Sequence, residues 1–165
     1  MVWQHLYKEL IKNNLKLNLE NSILIHGGGW KKLNHENISN NIFKEKLLEQ
    51  AGIINIHDYY GMVEQTGSIF FECENGFLHS SIYSDIIIRR GFDFSEAFIG
   101  EKGIIQVLSI LPKSYPGHSI LTEDEGMVIG IDDCKCGRMG KYFKIFGRLT
   151  NAEIRGCSDT YENKQ

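Results

Sequence analysis

Proline, net charge and long apolar runs are all scarce in this sequence, and each scarcity removes a class of function. Two prolines in 165 residues, beside a hydrophobic content of 42%, describe an ordinary soluble domain with one core. A formal charge of −3, with lysines and acids interspersed, leaves no basic stripe for a nucleic-acid backbone and no polybasic membrane anchor. The apolar runs fall far short of the roughly 20 residues that cross a bilayer, and the opening MVWQHLYKEL lacks the apolar core of a secretion signal. The expected location is the cytoplasm, with no nucleic-acid partner and no membrane span. In that reducing setting the four cysteines point to metal or catalysis rather than to disulfides. Two signatures are missing outright, the GxxxxGK[ST] phosphate loop and the GxSxG elbow, so serine hydrolysis is not expected.

What is present alternates helix and strand early and then turns to strands. QHLYKELIKNNLKL carries Leu6, Leu10, Ile11 and Leu15 near helical spacing, and SILIH (22–26) is a short apolar strand running into a triple glycine. Ser39 can cap the helix NNIFKEKLLEQA, whose Ile42, Phe43, Leu47 and Leu48 form one apolar face, and Gly52 suits its left-handed stop. The segments IINI, SIFFEC, DIIIRR, GIIQVLSIL, GMVIGI and KYFKIFGR then read as strands between Gly, Asp, Asn or Pro turns. The expected class is α/β, an α/β start feeding a mostly β second half, within a single domain 1–165. Residues 1–67 form its α/β portion and 68–165 its mostly β portion.

Loops at strand ends are where an open α/β sheet holds a ligand. HGGGWK (26–31) lets backbone N–H groups approach a phosphate at Gly28 and Gly29, or is a tight turn under Trp30. YYGMVEQTG (59–67) brings a ring, a glycine and a carboxylate together; Glu64 is either a magnesium ligand or a solvated acid. Cys73, His79, Cys134 and Cys136 supply three thiolates and one imidazole, the ligand set of a closed structural zinc site. Lys135 must then bend the chain, eased by Gly137; the alternative is reduced core cysteines beside a solvated histidine. Cys157 lies in the polar segment EIRGCSDT, where a thiol is either incidental or reactive.

The ordered series HGGGW, YYGMVEQTG, FEC, LTEDEG, CKCGR and GRLTNAEIRGCSD closely resembles the acyl-protein synthetase family, the fatty-acid-activating component of bacterial luciferase aldehyde supply. It is also similar to the wider adenylate-forming superfamily, including phenylacetate–CoA ligases. The resemblance covers roughly residues 22–160 and implies the C-terminal part of an adenylate-forming large domain, a mixed sheet followed by a small β-rich subdomain. It implies that Tyr60 stacks on adenine, Gly61 lets the backbone pass and Glu64 binds Mg²⁺. Asp124 would hold the ribose hydroxyls and Arg148 ribose or phosphate oxygens. Val63 and Glu123 depart from the superfamily's usual threonine and glycine, and Asn151 stands at its hinge aspartate.

The family also makes Cys157 the acyl acceptor, on a tail whose Arg155 lowers the thiol pKa while Glu153 and Asp159 raise it. The expected function is ATP- and Mg²⁺-dependent activation of a long-chain fatty acid as acyl-adenylate, then transfer to a protein cysteine as a thioester. An acyl-reductase or acyl-transferase would be the protein partner. The superfamily's phosphate-gripping loop does not precede residue 22, so a missing N-terminal half or a homo-oligomer is expected to complete the enzyme. Two other readings stand beside this one: an acid–CoA ligase of the phenylacetate–CoA ligase type, and a non-catalytic zinc-stapled remnant or interaction module.

Overall fold

The computed structural model describes residues 2–27 and 40–149. Its elements run α1 (Val2–Lys12), β1 (Ile23–Gly27), α2 (Asn40–Ala51), β2 (Asn55–Tyr60), a 3₁₀ turn (Val63–Gln65), β3 (Phe70–Glu72), β4 (Leu78–His79), β5 (Ser84–Arg89), β6 (Gly103–Ser109), β7 (Ser119–Ile131) and β8 (Lys141–Arg148). Among the described residues eight strands form one mixed sheet in the order β1-β2-β3-β4-β8-β7-β6-β5, with β1 and β2 parallel and the other neighbours antiparallel. Among the described residues no helix is long and apolar enough to cross a membrane.

In place of the single core expected, the described residues form two large apolar clusters, one in each portion of the sequence. In the first, Leu24 and Ile56 of β1 and β2 meet Phe43, Leu47 and Ala51 of α2. The helix therefore buries an i, i+4, i+8 stripe, and Ile42 and Leu48, expected on that face, lie on the exposed side. Gly52 at φ +69 ends α2 in the left-handed region, as the sequence predicts. The first helix stops sooner than its apolar spacing suggests. Asn14 at φ 52 turns the chain, Ile11 and Leu15 face solvent, and Leu17 and Leu19 bond through their N–H groups to the end of α2.

In the second core, Phe70, Leu78, Ile86, Ile88, Ile105, Val107, Val128 and Phe143 fill the interior of a curled sheet. The curl brings β5 back toward β8. Lys141 Nζ donates to the Ile86 carbonyl at 2.8 Å and pairs with Asp85 at 2.9 Å; the Ile86 N–H goes to Asp85 Oδ1, and the Ile88 carbonyl accepts the Ala97 N–H. The expected exposed strand edge is thus satisfied at β5, while β1 pairs among the described residues with β2 alone.

Two boundaries differ from expectation in ways that matter for the site. The strand read as IINI begins at Asn55 and runs through Tyr60, so Tyr59 and Tyr60 end a strand rather than open a loop. β7 starts at Ser119, which places Leu121–Asp124 inside a 13-residue strand.

Candidate functional site

The C-terminal end of β2 and the paired ends of β7 and β8 bring three predicted residues together. Register opposes Asp124 to Arg148 across β7 and β8. The Tyr60 hydroxyl donates to Asp124 Oδ2 at 2.8 Å, and Arg148 Nε lies 4.0 Å from Asp124 Oδ1. Thr122 holds the Asp124 main chain: its Oγ1 accepts the Asp124 N–H and donates to the Ile105 carbonyl. Burial, then the adjacent Asp124 carboxylate, pushes the Tyr60 phenol far above its ordinary range, so Tyr60 remains a donor at all physiological pH. The Tyr60 ring leans on Phe70, 6.1 Å between centroids. Arg148 also reaches Glu123 Oε2 at 3.4 Å, so the acid at the superfamily's glycine position faces the arginine.

Glu64 stands apart from this trio. It sits exposed in the 3₁₀ turn that follows Tyr60 and Gly61. Its carboxylate makes no ion pair among the described residues, a state that fits a cation ligand. Gly61 lies between them, where a Cβ would come within 3.2 Å of the Ser68 carbonyl. Val63 is solvent-exposed, and the nearby Thr66 hydroxyl is turned back onto its carbonyl at 3.0 Å. Gly28, Gly29 and Cys157 lie outside the described residues, as do Ser39, Asn151 and Arg155.

A second cluster gathers Cys73, His79, Cys134 and Cys136, whose ligand atoms all lie within 4.8 Å of one another. Cys73 Sγ is 4.0 Å from Cys134 Sγ, and Cys136 Sγ is 3.4 Å from His79 Nε2. Tetrahedral zinc with bonds of about 2.3 Å to sulfur sets ligand atoms roughly 3.5–4 Å apart, so these spacings fit a closed site. The bend required between Cys134 and Cys136 is a turn closed by Gly137 N–H to the Cys134 carbonyl, with Gly137 at φ +79. On the other side the Cys73 carbonyl accepts the Gly76 N–H, and Tyr142 stacks on the His79 ring at 5.6 Å. Burial pushes the Cys134 thiol up, the penalty that a bound cation would relieve.

A third network went unread in the sequence. Glu72, buried between the sheet and α2, accepts Lys44 Nζ at 2.8 Å, Asn40 Nδ2 at 3.2 Å and the Asp58 N–H at 2.8 Å. Asp58 Oδ1 is 3.5 Å from His26 Nδ1, and burial raises the Asp58 carboxyl to about 6 and lowers His26. These groups fix the end of β2 two residues before Tyr60. The available signal was the parallel register His26↔Asp58, which follows once HGGG and DYYG are read as neighbouring strand ends.

A family model described as "Acyl-protein synthetase, LuxE" matches residues 1–165. Among solved structures the chain is similar to an open conformation of 2-hydroxyisobutyryl-CoA ligase in complex with 2-HIB-AMP and CoA, at TM-score 0.68 and 19% identity, covering 91% of this chain and 32% of that one. It is similar also to a long-chain-fatty-acid-CoA ligase (FadD1) from Archaeoglobus fulgidus, at TM-score 0.60 and 14% identity, covering 89% and 32%. A third likeness is to McyG A-PCP complexed with phenylalanyl-adenylate, at TM-score 0.57 and 17% identity, covering 90% and 29%. The chain therefore spans about a third of the length of the solved chains it matches. No curated protein sequence matches it significantly. The sheet is the one shared by adenylate-forming enzymes, as the sequence motifs imply, and over its whole length the chain belongs to the acyl-protein synthetase family.

Proposed function

We propose that this chain carries the nucleotide-handling part of an acyl-protein synthetase that activates a long-chain fatty acid with ATP and passes the acyl group to Cys157. The observation that carries the reading is the Tyr60–Asp124 hydrogen bond at 2.8 Å with Arg148 opposite Asp124. It supports a ribose site: an acceptor carboxylate for two vicinal hydroxyls, beside a planar fork suited to ribose or phosphate oxygens and a ring suited to the base. Glu64 would hold the Mg²⁺ that accompanies ATP, which would supply neutralisation of the phosphate charge. A carboxylate oxygen of the fatty acid attacks the α-phosphorus and pyrophosphate leaves. The Cys157 thiolate, its proton released to solvent, then attacks the mixed-anhydride carbonyl; the thioester forms and AMP departs with the bonding pair. An acyl-reductase or acyl-transferase would take the thioester onward. Cys73, His79, Cys134 and Cys136 would hold zinc as a staple with no open coordination position for catalysis.

The test uses labelled fatty acid, ATP and Mg²⁺ with the full chain and any polypeptide that completes it. Label bound to protein, lost with Cys157→Ser, is the expected result; label persisting on the serine variant removes Cys157 from the mechanism. Coenzyme A is the second acceptor considered, because two of the similar solved structures are named as CoA ligases. AMP release that requires coenzyme A and ignores Cys157 would favour it.

A further inference from the structure

Both prolines of the chain, Pro112 and Pro116, fall in the loop between β6 and β7. Each fixes its own φ and narrows the choices of the residue before it, so the loop has few conformations to lose on folding. The residue held between them on the Pro116 side is Tyr115. Its hydroxyl donates to the Glu64 carbonyl at 2.7 Å and accepts the Thr66 N–H at 3.2 Å, bridging the backbone on either side of Gln65. Gln65 completes the clasp from inside. Fully buried, it donates from Nε2 to the Gly117 carbonyl at 2.8 Å and to the Val107 carbonyl at 3.4 Å. Within the loop the Gly117 N–H returns to the Tyr115 carbonyl at 2.8 Å, and a Cβ at Gly117 would overlap the Tyr115 ring.

We propose that Tyr115 is a positioning residue for Glu64: its hydroxyl, presented by the two-proline loop, fixes the backbone from which the Glu64 carboxylate reaches the magnesium of bound ATP. This rests on the reading of Glu64 as a magnesium ligand given above. The physical reason is geometric. A carboxylate on an exposed single turn has its own rotamer freedom, and a 3₁₀ turn of three residues has poor internal bonding to resist movement. Two hydrogen bonds from one hydroxyl, on either side of Gln65, leave Glu64 only its side-chain torsions to search. No other described side chain bonds to the Glu64 main chain, and the motif YYGMVEQTG does not reach the loop.

The test measures ATP binding to the full chain, together with any polypeptide that completes it, by calorimetry with MgCl₂ and with EDTA, alongside thermal denaturation. In Tyr115→Phe the ring still packs over Gly117 and only the hydroxyl is lost. The expected result is unchanged affinity in EDTA, an unchanged melting temperature, and a magnesium-dependent gain in affinity reduced by about tenfold or more, the range for groups that orient a metal ligand. Pro116→Ala, at an exposed position, loosens the loop while keeping the hydroxyl and is expected to reduce the same gain by about threefold. Equal magnesium gains in wild type and Tyr115→Phe overturn the role of Tyr115. A loss of the same size in EDTA overturns it too, since the effect would then be general to the pocket. Wild-type protein that binds ATP with no magnesium gain overturns Glu64, and wild-type protein that binds no ATP overturns the nucleotide reading itself.

Discussion

Removing the zinc proposed for the Cys73–His79–Cys134–Cys136 cluster should cost stability by an amount that the chain path sets. The cluster ties the turn after β3 and the short β4 to the turn between β7 and β8, and its sulfurs Cys73 and Cys134 are 61 residues apart in sequence. A cross-link closing a loop of that length removes unfolded-chain entropy worth about 4 kcal/mol at room temperature, by the same relation that describes disulfides. For a chain of this size that converts to a fall in melting temperature of about 10 °C. The assay is elemental analysis of the purified protein followed by calorimetric melting before and after a chelator. One zinc per chain, lost together with those degrees and restored by added zinc, is the expected outcome. The Cys134→Ser variant should melt at the temperature of the chelated protein and no longer respond to zinc. Protein that carries no metal and melts at the same temperature with zinc, with chelator or with Cys134→Ser would refute the reasoning, because the four ligand atoms would then be close without being joined.

Three more outcomes follow from the geometry. Glu72→Gln takes the carboxylate from beneath Lys44 at a site where the Glu72 side chain is 6% exposed; about 3 kcal/mol should be lost in urea unfolding, with part recovered in the Glu72→Gln, Lys44→Met pair. Asp58 is held protonated by burial up to about pH 6 against an unfolded value near 3.8, so its contribution is full below pH 4 and disappears as pH rises through 6. Solvent screening at a side chain 37% exposed reduces this to about 1 kcal/mol, and Asp58→Asn should gain on wild type by that margin between pH 4 and 7 in pH-dependent melts. Asp124→Asn should weaken ATP binding by about tenfold to a hundredfold, the worth of a charge-assisted contact, without lowering the melting temperature; an undiminished affinity would remove Asp124 from the ribose site.

Local pattern made much of this architecture legible. KYFKIFGR is β8 to the residue, NNIFKEKLLEQA is α2, and Gly52 and Gly137 take the left-handed conformations that their positions require. Pairing across strands was less visible. Whether Leu48 or Ala51 faces the core depends on where β1 and β2 lie, so the hydrophobic residues alone chose the wrong edge of the helix. The two-residue β4 is too short to show alternation, yet it carries His79 into the thiol cluster. Tyr60 and Asp124 are 64 residues apart and were linked through motif order; the antiparallel register of β7 and β8 is what sets Arg148 opposite Asp124. Tyr115 and Gln65 escaped notice because a main-chain carbonyl has no sequence signature, and only the folded loop shows which one a phenol reaches.

The closure of β5 by Lys141, Asp85 and Ala97 gives the sheet a direction of growth. With one side finished in this way, any strand that joins the molecule does so beyond β1, among the described residues, where Ile23 and Ile25 stand in solvent. Strand pairing between two copies is therefore expected at β1 and not at β5, and an edge-to-edge β1 pair related by a two-fold axis closes on itself as a dimer.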